Sequence, residues 1–480
     1  MSEEKDKVGG TSSNVVAKAG MWYTICNFLF RGMAFITTPI FTRLLTKGEL
    51  GAFSNFSSWA SILMVITSFD LAQSIIRSRL EHKDDMDSYI WSIMSLSSLW
   101  TLLVYGIVCL FPQFFAGLMH IDVKYIHVMF LYLLVAPAYS MLITKHRAQY
   151  RYKLFVLLTG IMTVSSTLLS LVMVLLMQDK LAGRLLGYFL PYIVLSTGIY
   201  IHLVFKGKKI KIQYWKYACV ICLPLVPHVL SLYLLSSADK ILLTRICGEE
   251  FTGVYSVAYS AYHIATILFD SLNRAWAPWL LESLHLKKYE EIKRTAKVYI
   301  IVFVIMIWGV LMVVPEVIAI LGGAQYASAV PCLPPLITSC VFQFIYTMYV
   351  NIEFYHKKTF GVSIATIIAT AINIVLDILI LPHFPQQAHI ITAYTTLLGY
   401  VVLFILHYYL VKRLNMAHIY DIKFNLLILA ATVCVSLFMN FLYSFTLIRW
   451  IVIVTYGSVV LLICYRYREM ILSLFSRKKK

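Results

Sequence analysis

The sequence predicts an all-α integral membrane protein that crosses a bilayer about fourteen times as helices. Three observations predict it: an apolar composition, apolar blocks of bilayer-spanning length, and a sorting of basic residues that alternates from loop to loop. The 480 residues are 60% hydrophobic and 13% charged, against roughly 25% charged in soluble domains. With a mean hydropathy of +0.78, such a chain could not cover its own surface in water. The apolar residues fall in blocks of about 20, enough to span ~30 Å of hydrocarbon at 1.5 Å per residue. Lipid offers the backbone no partners, so each block satisfies its own hydrogen bonds as a helix. A β-barrel does not fit, because stretches such as 300–314 are continuously apolar and lack in-out alternation.

The blocks place spans near 21–45, 50–76, 89–111, 123–146, 153–177, 184–205, 214–238, 253–281, 297–321, 330–354, 360–381, 388–411, 424–443 and 447–465. With the N-terminus in the cytoplasm, 31 of the 41 Lys and Arg fall in cytoplasmic segments and 8 in outer ones, among them Arg184 and Lys240. The remaining two, Arg31 and Arg274, lie inside spans. Cytoplasmic loops collect basic residues, so this bias supports an even number of spans with both termini inside. It also accounts for the net charge of +18 without nucleic acid, for which loops this short offer no continuous basic face.

An internal repeat organises the spans. TRLLTKGELGAFS (42–54) aligns with TRICGEEFTGVYS (244–256) at an offset of 202, with Thr42/Thr244, Arg43/Arg245, Gly51/Gly253 and Ser54/Ser256 identical. Both segments follow the first span of a set of six, so orientation is preserved and the repeats are parallel. The expected organisation is a cytoplasmic tail over 1–20, six-helix bundles over 21–212 and 213–412, and two further helices with a basic tail over 413–480.

An ionisable side chain inside a span costs ~2.5–3.5 kcal/mol on insertion scales, so it marks a candidate site. Arg31 sits mid-span, and Arg274 lies one turn after Asp270. Both arginines are candidates for a cavity that binds an anion. Asp70, Asp270 and Asp377 are candidates for ion coupling, Asn373 shares a helix face with Asp377, and Glu353 lies near a span end. Pro39, Pro224 and Pro227 fall in the first span of each repeat, where proline bends a helix. No catalytic residues, cofactor or metal site is expected. The chain has no phosphate-binding Gly-rich loop, HExxH or GxSxG. The CxxC at Cys219 and Cys222 lies within a span and has no second ligand pair nearby.

The stretches GMAFITTPIFTRLLTKGELGAFS and SSADKILLTRICGEEFTGVYSVAYS resemble the Wzx-type oligosaccharide flippases of bacterial polysaccharide biosynthesis. These share a superfamily with MATE drug exporters and lipid II flippases. The resemblance implies two six-helix bundles in a V, with spans 1 and 7 gating a central cavity. It implies translocation of an undecaprenyl-diphosphate-linked oligosaccharide across the plasma membrane for capsule, O-antigen or exopolysaccharide, by alternating access. Arg31 and Arg274 would hold the headgroup phosphate, H⁺ or Na⁺ would supply coupling, and a polysaccharide polymerase would be a partner. A MATE-type cation-coupled antiporter and a lipid II flippase are the alternatives.

Overall fold

The computed structural model describes residues 35–466, together with Trp22, Cys26, Gly32 and Met33. Among the described residues there is no strand. Eleven helices there are long and apolar enough to cross a bilayer. Of the other three expected spans, 21–45 lies largely outside the described residues. The span at 253–281 lies within the helix Glu249–His285, whose apolar run is interrupted by Asp270, Arg274 and several hydroxyl residues. The last, within Thr446–Arg466, has an apolar stretch of only Thr446–Leu462.

The chain forms two compact units. The first comprises the described residues of Met1–Ser260 with Leu321–Gly323 and Thr366–Thr392. Its principal helices are α1 (35–44), α2 (Lys47–Ser68), α3 (Met86–Leu110), α4 (Val123–Ala148), α5 (Tyr152–Leu176), α6 (Lys180–Gly207), α7 (Ile212–Cys222), α8 (Val226–Cys247) and the start of α9 (Glu249–His285). The sequence TKGE starts α2: the Thr46 hydroxyl accepts from the Glu49 amide and the Glu49 carboxylate accepts from the Thr46 amide, a reciprocal cap. The expected span 50–76 stops at Ser68, because Phe69 and Asp70 both take left-handed backbone, with φ of 49°. That costs ~1–2 kcal/mol per non-glycine residue. Pro224 lies in a 3₁₀ turn, Leu223–Leu225, between α7 and α8, and Pro227 in the first turn of α8. Proline removes the amide that would have continued the helix.

The repeat has a physical basis in this unit. Thr42 and Thr244 are both buried; Thr42 donates to the Leu321 carbonyl at 2.6 Å, and Thr244 pairs with the Thr252 hydroxyl at 2.8 Å. Gly51 and Gly253 bring the first turns of α2 and α9 together. A Cβ on Gly51 would lie 1.8 Å from the Glu249 carbonyl oxygen, and one on Gly253 would lie 2.0 Å from that of Lys47. Each glycine faces the carbonyl four residues before the other, so the contact is reciprocal. Two apolar clusters fill the rest of the unit. One centres on Phe56, Met129, Phe130, Leu133 and Phe189, the other on Leu71, Ile75, Ile90, Ile93 and Met141.

The second unit comprises Ala261–Ile320, Ala324–Ala365 and residues from Ala393 onward. It contains the remainder of α9, α10 (Tyr289–Met312), α11 (Leu333–Tyr355), most of α13 (Ala388–Arg413), α14 (Ile422–Leu442) and α15 (Thr446–Arg466), whereas most of α12 (Thr359–Ile380) belongs to the first unit. α11 is its buried axis, with Leu336, Ile337, Val341, Ile345 and Ile352 inaccessible. Exposed leucines and phenylalanines such as Leu110, Leu176, Phe205 and Leu447 stud the outer faces of both units' helices, as a hydrocarbon solvent requires. This is a multi-pass membrane protein.

Candidate functional site: a cationic cavity in the first unit

The site begins with a packing motif. The run Gly183-Arg184-Leu185-Leu186-Gly187 places two glycines one turn apart on α6. Small residues at this spacing let membrane helices approach at backbone distance. A Cβ on Gly187 would lie 2.3 Å from Ser170 Cα, and one on Gly183 2.8 Å from the Met173 carbonyl oxygen. α6 therefore lies directly on α5. Asp179 fixes where α6 starts, its side chain accepting from the Ala182 amide at 2.9 Å. Arg184, between the glycines, is set one turn inside the helix against Ser170.

From there Arg184 reaches a cavity of about 430 Å³ lined by α1, α2, α5, α6 and α8. Its guanidinium donates to Ser170 Oγ at 2.7 Å. It lies over the rings of Phe41 at 3.6 Å, Phe53 at 4.2 Å and Tyr188 at 5.6 Å. The rings hold the cation by their quadrupoles, and no carboxylate among the described residues pairs with it. Its Nε is buried with no hydrogen-bond partner among the described residues, and so is the Ser57 hydroxyl.

Lys240, on α8, supplies a second cation to the wall. Its ammonium lies 4.2 Å from the Tyr259 ring centroid and forms no ion pair among the described residues. The neighbouring Asp239 carboxylate is engaged instead by the Tyr255 hydroxyl at 2.8 Å. The rest of the wall is hydroxylic: Ser54, Ser57, Ser58 and Ser61 form a stripe on α2, faced by Thr163, Ser166 and Thr167 of α5. Two cations without an ion pair among the described residues, with hydroxyls and aromatic faces, suit an anionic, polyhydroxylated guest. A guanidinium fork matches phosphate oxygens in particular.

The structure places the sequence candidates as follows. Arg31 lies outside the described residues. Arg274 is exposed on α9 in the second unit. Asp70 is half-buried after α2 and lines a second cavity, lower on that helix. Asp377 and Asn373 are fully buried on α12, and Asp270 is half-buried on α9. Pro39 lies on α1, where its carbonyl accepts from Arg43 at 2.6 Å. Arg184 and Lys240, assigned from sequence to outer segments, are both within helices and line the cavity. Span-end assignment hid them. The serine stripe at i, i+3, i+4 and i+7 on α2 and the Gly-Arg-x-x-Gly run were the signals that could have found them.

The profile of the family described as "Polysaccharide biosynthesis protein" matches residues 16–284. No curated protein sequence matches the chain. Among solved structures, the lipid II flippase MurJ in an inward closed conformation is similar with a TM-score of 0.68 at 15% identity, over 94% of this chain and 100% of that one. An inward-facing multidrug resistance MATE family transporter of the MOP superfamily is similar at 0.55 and 14% identity, over 80% and 95%. A MOP superfamily transporter from Pyrococcus furiosus, described as having a binding pocket of reversed polarity, is similar at 0.53 and 15% identity, over 86% and 99%. These likenesses show a shared fold, and the family match over more than half of the chain shows that it belongs to the polysaccharide biosynthesis protein family.

Proposed function

We propose that the chain is a flippase for an undecaprenyl-diphosphate-linked oligosaccharide in the bacterial plasma membrane, with both termini cytoplasmic. One observation carries the reading: Arg184 sits at the wall of a hydroxyl-lined cavity, held by aromatic faces and without a counter-charge among the described residues. A diphosphate-sugar headgroup cannot cross bare hydrocarbon, and this cavity offers its charge two cations. Arg31 and Arg274 are further contacts for the phosphates along the path. The repeats 21–212 and 213–412 are the moving halves and 413–480 an appended pair of helices. Asp70, Asp270 and Asp377 are candidate groups for H⁺ or Na⁺ coupling, and a polysaccharide polymerase would receive the product. A drug-cation antiporter is disfavoured, since Arg184 and Lys240 would repel its substrates.

The test is deletion of the gene, with undecaprenyl-linked sugars assigned to leaflets in spheroplasts. Wild type should restore the outer-leaflet pool. Arg184→Gln, which retains a donor for Ser170, should not, because a lost charge-assisted hydrogen bond of about 1.5–3 kcal/mol lowers headgroup affinity roughly 10- to 100-fold. Full restoration by Arg184→Gln at wild-type abundance would refute the cationic site.

A further inference from the structure

A second cavity adjoins the first. It has a volume of about 270 Å³ and lies at the C-terminal end of α2, walled by Tyr132, Tyr139, Tyr192 and Tyr233, with Asp70 and Ser68 at its edge. Tyr192 also lines the cationic cavity, so one ring forms a wall of both. The hydroxyls of Tyr132 and Tyr233 make no hydrogen bond to any described residue. Tyr192 meets Tyr132 edge-on at 6.0 Å and Tyr139 edge-on at 6.3 Å, an arrangement that turns faces and edges of different rings toward one space. Asp70 is carried here by two consecutive left-handed residues, and such conformations persist where the surroundings hold a side chain for use.

We infer that this cavity is the sugar subsite of the transport path, and that it takes the carbohydrate next to the diphosphate held at Arg184. The inference rests on the lipid-linked oligosaccharide reading above. A sugar ring has an apolar C–H face and a rim of hydroxyls. Tyrosine faces match the first, and a carboxylate with free phenol hydroxyls matches the second. The volume would hold about nine waters at ~30 Å³ each, which is the scale of a sugar ring and far more than a bare cation needs. A diphosphate would be repelled by Asp70, and a polyprenyl tail would offer nothing to the part of that carboxylate that the Gln73 side chain does not bond. Along α2, Ser61 in the first cavity and Met64 in the second are three residues apart, or about 4.5 Å at 1.5 Å per residue. That adjacency suits a sugar bonded directly to a diphosphate held in the first cavity.

The test uses the purified full-length chain in detergent and binding calorimetry with four probes: farnesyl diphosphate, and farnesyl diphosphate carrying glucose, galactose or N-acetylglucosamine. At least one sugar-bearing probe should bind about tenfold or more tighter than farnesyl diphosphate, the gain of one well-made hydrogen bond or stacked ring. Asp70→Asn and the pair Tyr132→Leu/Tyr233→Leu should each abolish that margin and leave farnesyl diphosphate affinity unchanged. Arg184→Gln should weaken all four probes alike. If the tyrosine pair fails to fold, Asp70→Asn supplies the same readout. A margin that survives in the folded variants, or no margin for any sugar while farnesyl diphosphate still binds through Arg184, would overturn the sugar subsite and leave the anion site standing. Failure of all four probes to bind would remove both. Binding of tetraphenylphosphonium that is lost in Asp70→Asn would assign the cavity to organic cations and overturn the inference.

Discussion

Replacing Gly51 by alanine tests the link between the repeat and the fold most directly. The new methyl carbon would lie 1.8 Å from the Glu249 carbonyl oxygen and 2.9 Å from the Gly253 nitrogen. Ordinary contact begins at 3.4 Å, so α2 and α9 must part by about 1.6 Å at their first turns. Both opposing groups are backbone, and no side chain can swing aside. Overpacking of a close-packed site costs typically 1–3 kcal/mol, and a backbone-on-backbone clash belongs near about 3 kcal/mol. Gly48, one turn earlier on the same helix, is the internal control. A Cβ there meets nothing within 4 Å, so Gly48→Ala gains helix propensity and should be neutral or stabilising by up to about 1 kcal/mol. Gly253→Ala should match Gly51→Ala. The double variant should cost well under the sum, because once the crossing is open the second methyl finds room. Reversible unfolding in mixed detergent micelles gives all four values. Equal effects at Gly48 and Gly51, or strict additivity of Gly51 with Gly253, would refute the reciprocal crossing.

Two further perturbations follow from side-chain geometry. Hydrogen bonds from Lys211, Ser88 and Tyr214 hold the Asp85 carboxyl down to about 2. A depressed folded value makes its contribution full above about pH 4 and lost as pH falls toward 2, so acid titration of unfolding stability should lose that component in Asp85→Asn. In the second unit, Glu353 and His407 are each 1% exposed and lie 2.7 Å apart. His407→Leu should cost about 3–5 kcal/mol by stranding a buried carboxyl, whereas Glu353→Leu with His407→Leu should recover most of it; a double variant no more stable than His407→Leu would refute the pairing.

The class of the fold was legible because hydrocarbon imposes it on composition and block length. α4, α5 and α13 begin and end within about two residues of the expected spans, since their boundaries coincide with charged or turn-forming residues. α2 ends early because a left-handed turn at Phe69 and Asp70 has no compositional mark. The repeat was visible as four identities, but their purpose was not. Gly51 and Gly253 matter through a contact between residues some 200 positions apart, and nothing local to either announces it. The cationic residues of the site were misplaced for a similar reason. Counting loop charges treats every Arg or Lys at a helix end as solvated, and only tertiary packing shows that Arg184 turns onto Phe41, Phe53 and Tyr188.

Those rings bear on how a flippase could release what it binds. If a carboxylate held Arg184, an arriving diphosphate would have to break a desolvated ion pair and leave an unpaired acid, a loss of about 3–5 kcal/mol for buried pairs. If nothing held it, the empty cavity would carry an uncompensated guanidinium, and loading would approach irreversibility. A cation over aromatic faces gains roughly 0.5–2 kcal/mol. That holds the side chain in place without competing strongly for its hydrogen-bonding edge. Ser170 occupies one donor of that edge at 2.7 Å, and Nε remains unmatched. On the lipid-linked oligosaccharide reading proposed above, the empty and loaded states would differ by the few hydrogen bonds the phosphate makes, small enough for the headgroup to leave when the cavity opens elsewhere. By this reasoning a carboxylate introduced at Phe53 should damage transport more than loss of the ring alone, because it would satisfy the arginine permanently.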